Sequence, residues 1–170
     1  MTAASEMTDE ELIEAFADSL GISEDAAAML LDTIYSAGDS TAFWFDHENA
    51  SGSTIPNANL VVTADVGGLQ QVQLMLPDIR DEMGSMFDTM LRQMFGDINY
   101  LIDFNGKPLG DNYFVYFAYQ VNLYGVDMEI YQALTLINGN NYIFTLTVGS
   151  NSLMDYIPTF EEMLSTLKPM

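Results

Sequence analysis

YQALTLINGNNYIFTLTVGSNSLMDYIPTFEEMLSTLKP, residues 131–169, is the stretch on which the fold turns. Its first half reads as two strands joined by a turn over residues 138–141, because Asn-Gly supplies the positive φ angles that a tight hairpin needs. In the second strand Tyr142, Phe144, Leu146 and Val148 alternate with Ile143, Thr145 and Thr147. Successive side chains point to opposite faces of a sheet, so the pattern predicts an antiparallel pair with one face covered and the other partly wet. The cover comes next in the chain. Leu153, Ile157, Phe160, Leu164 and Leu167 recur at spacings of four, three, four and three, a single stripe on a helix that can lie across the sheet. Pro158 marks the first turn of that helix or a kink in it.

Toward the N-terminus, INYLIDF, NYFVYFAYQVNLYG and MEIYQALTLI extend the hairpin into a meander rich in Tyr, Phe, Val and Ile. Asn105-Gly106 is expected to turn the chain between the first two of these strands. Before them, LQQVQLMLPDIRDEMGSMFDTMLRQMF carries Leu69, Val72, Leu76, Ile79, Met83, Met86, Phe87, Met90, Leu91 and Met94 at helical spacing. Pro77 lacks a backbone donor, which predicts a kinked helix or a short helix ahead of a longer one. TAFWFDH and NLVVTADV read as two further strands, the second apolar enough at its centre for an interior place in a sheet. At the start, Thr8 and Glu11 form a capping box ahead of Leu12, Ile13, Phe16 and Leu20, with Gly21 as the stop. Ser23 caps a second helix with Ala27, Leu30, Leu31 and Ile34 on one face and Gly38 at its end. The order of elements is α+β: an antiparallel sheet with helices packed on it over residues 40–170, preceded by an N-terminal helical hairpin, 1–39, packing on that domain.

Charge sets the surface. The 25 carboxylates face only Arg80, Arg92, Lys107, Lys168 and a single histidine, His47, for a formal charge of −21. Nucleic-acid affinity comes largely from cations that displace counterions, so the chain repels phosphate backbones, and it repels anionic lipid headgroups for the same reason. Two helices meeting at a turn suggest a DNA reader, but residues 8–38 contain no Lys or Arg. With no cysteine, disulfides, thiolate metal sites and a cysteine nucleophile are excluded. No stretch approaches the roughly 20 apolar residues that span a bilayer. The opening MTAASEM has neither the basic nor the apolar region of a signal peptide, and reads as the cut end of a chain from which a signal peptide or lipid-bearing cysteine has been removed.

The candidate sites each have a plainer explanation. Met83, Met86, Met90 and Met94 put four thioethers on neighbouring turns, a donor set that suits Cu(I), but they are expected in the core, where methionine fills irregular gaps. Asp46, His47 and Glu48 are metal-ligand types, yet three consecutive residues cannot all face one ion, and a solvated loop is expected. DFNGKPLGDN offers Asp103, Asn105, Gly106 and Asp111 in the manner of a calcium loop, with Phe114 where the bidentate glutamate would stand. A serine triad would have to be built around His47, without a nucleophile elbow. Gly67 and Gly68 precede a helix but no Lys-Ser/Thr follows, so they make no phosphate cradle. Tyr113, Tyr116, Tyr119, Tyr124 and Tyr131 would line either an exposed aromatic patch or cross-strand ladders.

Over residues 40–168 the chain resembles the PsbP-like superfamily, and within it the DcrB-type bacterial lipoprotein domain. The resemblance rests on NANLVVTADV before a long helix, on YQALTLINGNNYIFTLTV with Gln132 and Tyr142, and on the closing FEEMLSTLK. It implies an α/β/α sandwich that acts by binding and, in bacteria, is tethered outside the membrane. The early Pro-Gly-Trp hairpin of that family is missing, helices standing in its place, and no family site residue is carried over. The expected function is therefore a non-enzymatic extracytoplasmic binding domain, membrane-anchored or secreted, the soluble part of a bacterial lipoprotein. No catalytic, cofactor or metal residues and no cofactor are expected. A protein or other ligand is its partner, nucleic acid is not, and the membrane enters only through a lipid anchor outside this chain. A small carboxylate- or metal-dependent enzyme and a cytoplasmic adaptor on the same fold are the alternatives.

Overall fold

The computed structural model describes residues 2–3, 7–20, 22–37, 40–46, 49, 55–64, 71–123 and 125–168. In chain order they form β1 (Thr2–Ala3), α1 (Asp9–Leu20), α2 (Glu24–Ala37), β2 (Ser40–Phe45), β3 (Asn57–Ala64), a 3-10 turn (Gln71–Met75), α3 (Pro77–Phe95), β4 (Asn99–Leu109), β5 (Asn112–Leu123), β6 (Val126–Ile137), β7 (Asn140–Gly149) and α4 (Leu153–Ser165). The seven strands make one sheet in the order β1-β2-β3-β7-β6-β5-β4, and every neighbouring pair is antiparallel. Asn138 and Gly139 have φ of 52° and 78°, the two positive angles that let a two-residue turn join β6 to β7.

Strand alternation sorts the core onto two faces. On one, Phe114, Tyr131, Ala133, Phe144, Leu146 and Val148 are closed over by Leu153, Phe160 and Leu164 of α4, with Ile157 and Leu167 packed at the margin. On the other, Phe117, Tyr119, Val121 and Ile130 meet Phe87, Leu91 and Phe95 of α3, while Val115, Leu134, Leu136 and Ile143 meet Leu74 and Met83. The second face also carries α1 and α2, whose Leu12, Phe16, Ala27 and Leu31 pack on Phe43, Phe45 and Met128. This is the α/β/α sandwich expected from the sequence. The capping box is present, Glu11 accepting from the Thr8 amide at 2.7 Å and from its hydroxyl at 2.9 Å. Those bonds hold the exposed Glu11 carboxyl below its ordinary range. Ser23 Oγ accepts from the Ala26 amide at 3.3 Å. Gly21, Gly38 and the side chains of Leu20, Leu30 and Ile34 lie outside the described residues.

The β4–β5 turn is elsewhere than expected. Asn105 and Gly106 lie inside β4, opposite Tyr116 and Val115, and the chain reverses at Gly110-Asp111, between the paired Leu109 and Asn112. Gly110 supplies the positive φ, 59°. Gly106 is there for another reason, since a Cβ on it would stand 2.5 Å from the Tyr113 hydroxyl oxygen that crosses over it. Two register shifts, between Tyr100 and Ile102 and between Ile102 and Asn105, kink the strand just before it.

α4 is fastened at both ends. The buried carboxylate of Glu129 on β6 accepts from the Asn151 amide at 2.8 Å and the Leu153 amide at 3.0 Å, satisfying orphan donors at the helix start. At the far end, Asn112 Nδ2 donates to the Leu167 carbonyl at 2.8 Å. Gly110 there abuts the Ser165 carbonyl so closely that no Cβ fits. Between them Lys107 pairs with Glu161, which also accepts from the Tyr131 hydroxyl at 2.7 Å. Pro158 lies inside α4 rather than at its first position.

Candidate functional site

α3 begins at Pro77, whose missing amide would in any case be unpaired at a helix start, and ends at Gly96, whose φ is 77° and whose amide donates to the Arg92 carbonyl at 3.0 Å. The stretch before it is a separate 3-10 turn, the second of the two arrangements expected at Pro77. Among the 19 residues of α3 only Leu91 is buried. Phe87 and Phe95 lie half-buried beside it, and Phe87 sits in an aromatic cluster, 5.9 Å from Phe104 and 5.4 Å from Phe117 between ring centroids.

The methionine row does not lie in the core. Met83 touches the sheet, but Met86, Met90 and Met94 are 62%, 42% and 64% exposed. The reason is angular. At 3.6 residues per turn, the row sits roughly 100° around the helix from the sheet-facing Phe87, Leu91 and Phe95. One helix face cannot bury both. Val72, Met75 and Leu76 continue the exposed apolar surface into the preceding turn. Such a surface is unusual on an otherwise acidic chain.

The opposite flank of α3 is polar. A cleft of about 400 Å³ separates it from β4, lined by Gly84, Ser85, Asp88, Thr89, Tyr100, Asp103 and Phe104. Gly84 permits this close approach, because a Cβ there would meet the Phe104 ring at 3.2 Å. Desolvation first, then hydrogen bonding to Asp88 and its charge, pushes the Tyr100 phenol up to about 12. A phenol so raised is a poor base at neutral pH. Asp88 is also committed to Arg92, which donates from Nε at 2.9 Å.

The remaining candidates disperse. Asp103 and Asn105 sit along β4 while Asp111 sits in the turn beyond its far end, roughly 20 Å from Asp103 at the rise of an extended strand, so they cannot share a calcium ion. Asn105 Oδ1 accepts from the Gly106 amide at 2.8 Å instead. Asp46 accepts from Asn49 at 2.8 Å and from the Tyr156 hydroxyl at 3.3 Å. His47, Glu48, Gly67, Gly68 and Tyr124 lie outside the described residues. The other tyrosines form no single patch. Tyr113 and Tyr119 belong to the α3 face and Tyr116 and Tyr131 to the α4 face, with Tyr119 and Tyr131 buried. Burial pushes the Tyr119 and Tyr131 phenols up, and Glu161 adds to the effect at Tyr131. Gln132 faces the α3 side beside Thr145, and its Oε1 is buried without a hydrogen bond among the described residues. No group of three or more His, Cys, Asp or Glu side chains able to hold a metal occurs among the described residues, nor is any described helix long and apolar enough to cross a membrane.

A Pseudomonas aeruginosa protein of unknown function, PA94, superposes with a TM-score of 0.53 at 16% identity, over 77% of this chain and 83% of its own. LpqN of Mycobacterium tuberculosis, involved in cell envelope biogenesis, matches with a TM-score of 0.49 at 10% identity, over 70% of this chain and 65% of its own. The Ran-binding protein Mog1p of Saccharomyces cerevisiae matches with a TM-score of 0.42 at 9% identity, over 77% and 72%. The likeness to PA94 is one of fold. No protein-family model and no curated protein matches the chain.

Proposed function

We propose that the chain is a non-enzymatic interaction domain that engages a protein through the exposed apolar row of α3. The observation that carries this reading is the exposure of Met86, Met90 and Met94 on a helix whose opposite number, α4, buries its apolar stripe. Methionine suits such a surface because its unbranched, polarisable side chain adapts to varied partners. Acid–base chemistry finds no support, since Asp88 is paired, the Tyr100 phenol is raised, and Lys107 is committed to Glu161 and to the Tyr116 ring 4.5 Å away. We further place the domain outside the cytoplasm as the soluble part of a bacterial lipoprotein, on the resemblance of residues 40–168 to DcrB-type domains.

A photo-crosslinking amino acid placed at position 90, and separately at Met154 on α4, tests the binding face inside the producing cell. Both residues are exposed, at 42% and 59%. Defined protein adducts are expected from position 90 and not from position 154. Equal labelling at the two positions, or none at position 90, defeats the reading.

A further inference from the structure

Leu76, Ile79, Met83, Met86, Met90 and Met94 recur at intervals of three, four, three, four and four residues. This is the seam spacing by which one helix receives another. Leu76, Met86, Met90 and Met94 are exposed, and Ile79 and Met83 are half-buried. At 1.5 Å per residue the seam is roughly 27 Å long, enough for a helix of about five turns.

Its electrostatic frame selects the occupant. Residues 77–97 carry five carboxylates and two arginines. Arg92 is paired with Asp88, and Arg80 donates to the Tyr113 hydroxyl at 2.6 Å. Asp78, Asp81, Glu82 and Asp97 are exposed and make no ion pair among the described residues. Glu82 stands one turn before Met86, and Asp97 follows three residues after Met94, so negative charge borders the seam along its flank and at its end. A second copy of the chain would bring the same −21 charge against it, and anionic lipid is repelled likewise. Cationic side chains along one edge and at one end of an apolar stripe match this arrangement.

Resting on the proposed binding role of α3, we infer that the seam receives a basic amphipathic helix of a protein partner. Its apolar side chains lie between the methionines, and its lysines or arginines face Asp78, Glu82 and Asp97. An acidic helix of the same apolar face is rejected by like-charge repulsion.

The inference is tested with a synthetic 18-residue helix bearing leucines at three- and four-residue intervals and lysines along one edge and at one end, and with a counterpart whose lysines are glutamates. Binding is followed by titration calorimetry and by the methyl resonances of labelled methionine. The basic helix is expected to bind at least tenfold more tightly than the acidic one and to weaken with added salt. It should shift the Met86, Met90 and Met94 methyls while leaving Met154 unmoved. The triple variant Met86→Ser/Met90→Ser/Met94→Ser should lose at least tenfold in affinity with its melting temperature unchanged; should it misfold, Met90→Lys alone carries the same expectation. The inference is overturned by equal binding of the two helices, by no binding of either, by undiminished binding to the folded triple variant, or by shifts centred on Met154. It is also overturned if light scattering shows a dimer that the triple variant abolishes, or if phosphatidylglycerol vesicles shift the same methyls. Adducts at position 90 together with no preference for the basic helix would defeat this inference alone; absence of adducts at position 90 would defeat the binding role itself.

Discussion

Two helices cover opposite faces of one sheet, and they do so by different means. α4 has 13 residues and buries Leu153, Phe160 and Leu164, whereas α3 has 19 and buries only Leu91. α4 is also fixed at its start by Glu129, at its end by Asn112 and along its length by Glu161. α3 rests on an aromatic cluster and leaves a polar cleft on one flank and methionines exposed on the other. The contrast teaches that helix length is a poor guide to structural weight. The shorter helix closes the fold, and the longer one presents a surface.

The sharpest way to break this comparison is to truncate one apolar side chain on each helix. Phe160→Ala, which empties a buried site against Tyr131, should cost about 4 kcal/mol in urea unfolding. Met90→Ser should cost less than about 0.5 kcal/mol, because the residue lies on the exposed surface of α3 and fills no buried site. Similar losses from the two would abolish the distinction. Next in size is Gly110→Ala. It meets both the positive φ of 59° and the Ser165 carbonyl at the end of α4, and a loss of about 3 kcal/mol is expected from the combined strain and overlap. A near-neutral effect would mean that the turn does not seat α4.

The smallest expected effect separates the two faces by pH. Tyr100 lies on the α3 side with its phenol near 12, and Tyr131, under α4, is raised further by burial and Glu161. A folded-state value above the ordinary phenol near 10 favours the protonated form in the fold. The associated stability is therefore complete below about pH 10 and is lost as pH rises through the folded value. Thermal unfolding followed between pH 9 and pH 12.5, with phenolate absorbance recorded alongside, should show a falling midpoint above pH 10, with Tyr100 titrating before Tyr131. Tyr100→Phe should remove the earlier phase. A flat midpoint across the range would contradict the assignment.

The same contrast explains what could be read from residues alone. The α4 stripe was legible because its 4-3-4-3 spacing marks one narrow arc and the β7 strand before it supplies the matching face. The α3 row was misread because apolar residues cover too wide an arc for one face, a signal that counting apolar positions does not register but plotting them around the helix does. Asn105-Gly106 has the composition of a hairpin turn, yet the glycine answers to the Tyr113 ring, a contact between residues seven apart that no local pattern carries. Glu129 was passed over as one carboxylate within an apolar strand. With Asp127 two residues away in the same strand it carries no distinguishing local signal, and its role is visible only with α4 lying over β6. The tyrosines alternate between the faces as the strand period requires, so their abundance said little about a shared surface.

The sheet has two outer borders, and they differ in what they offer a foreign strand. One carries β1, whose two described residues pair with Trp44 and Phe45 and so cover only part of β2; the other is β4, whose backbone is thrown out of step twice and then meets Pro108, which has no amide hydrogen to give. Ribbon-to-ribbon growth into fibrils is discouraged at the β4 margin. The exposed α3 row, carried on side chains rather than peptide groups, can be changed by point substitution without disturbing the ladder beneath.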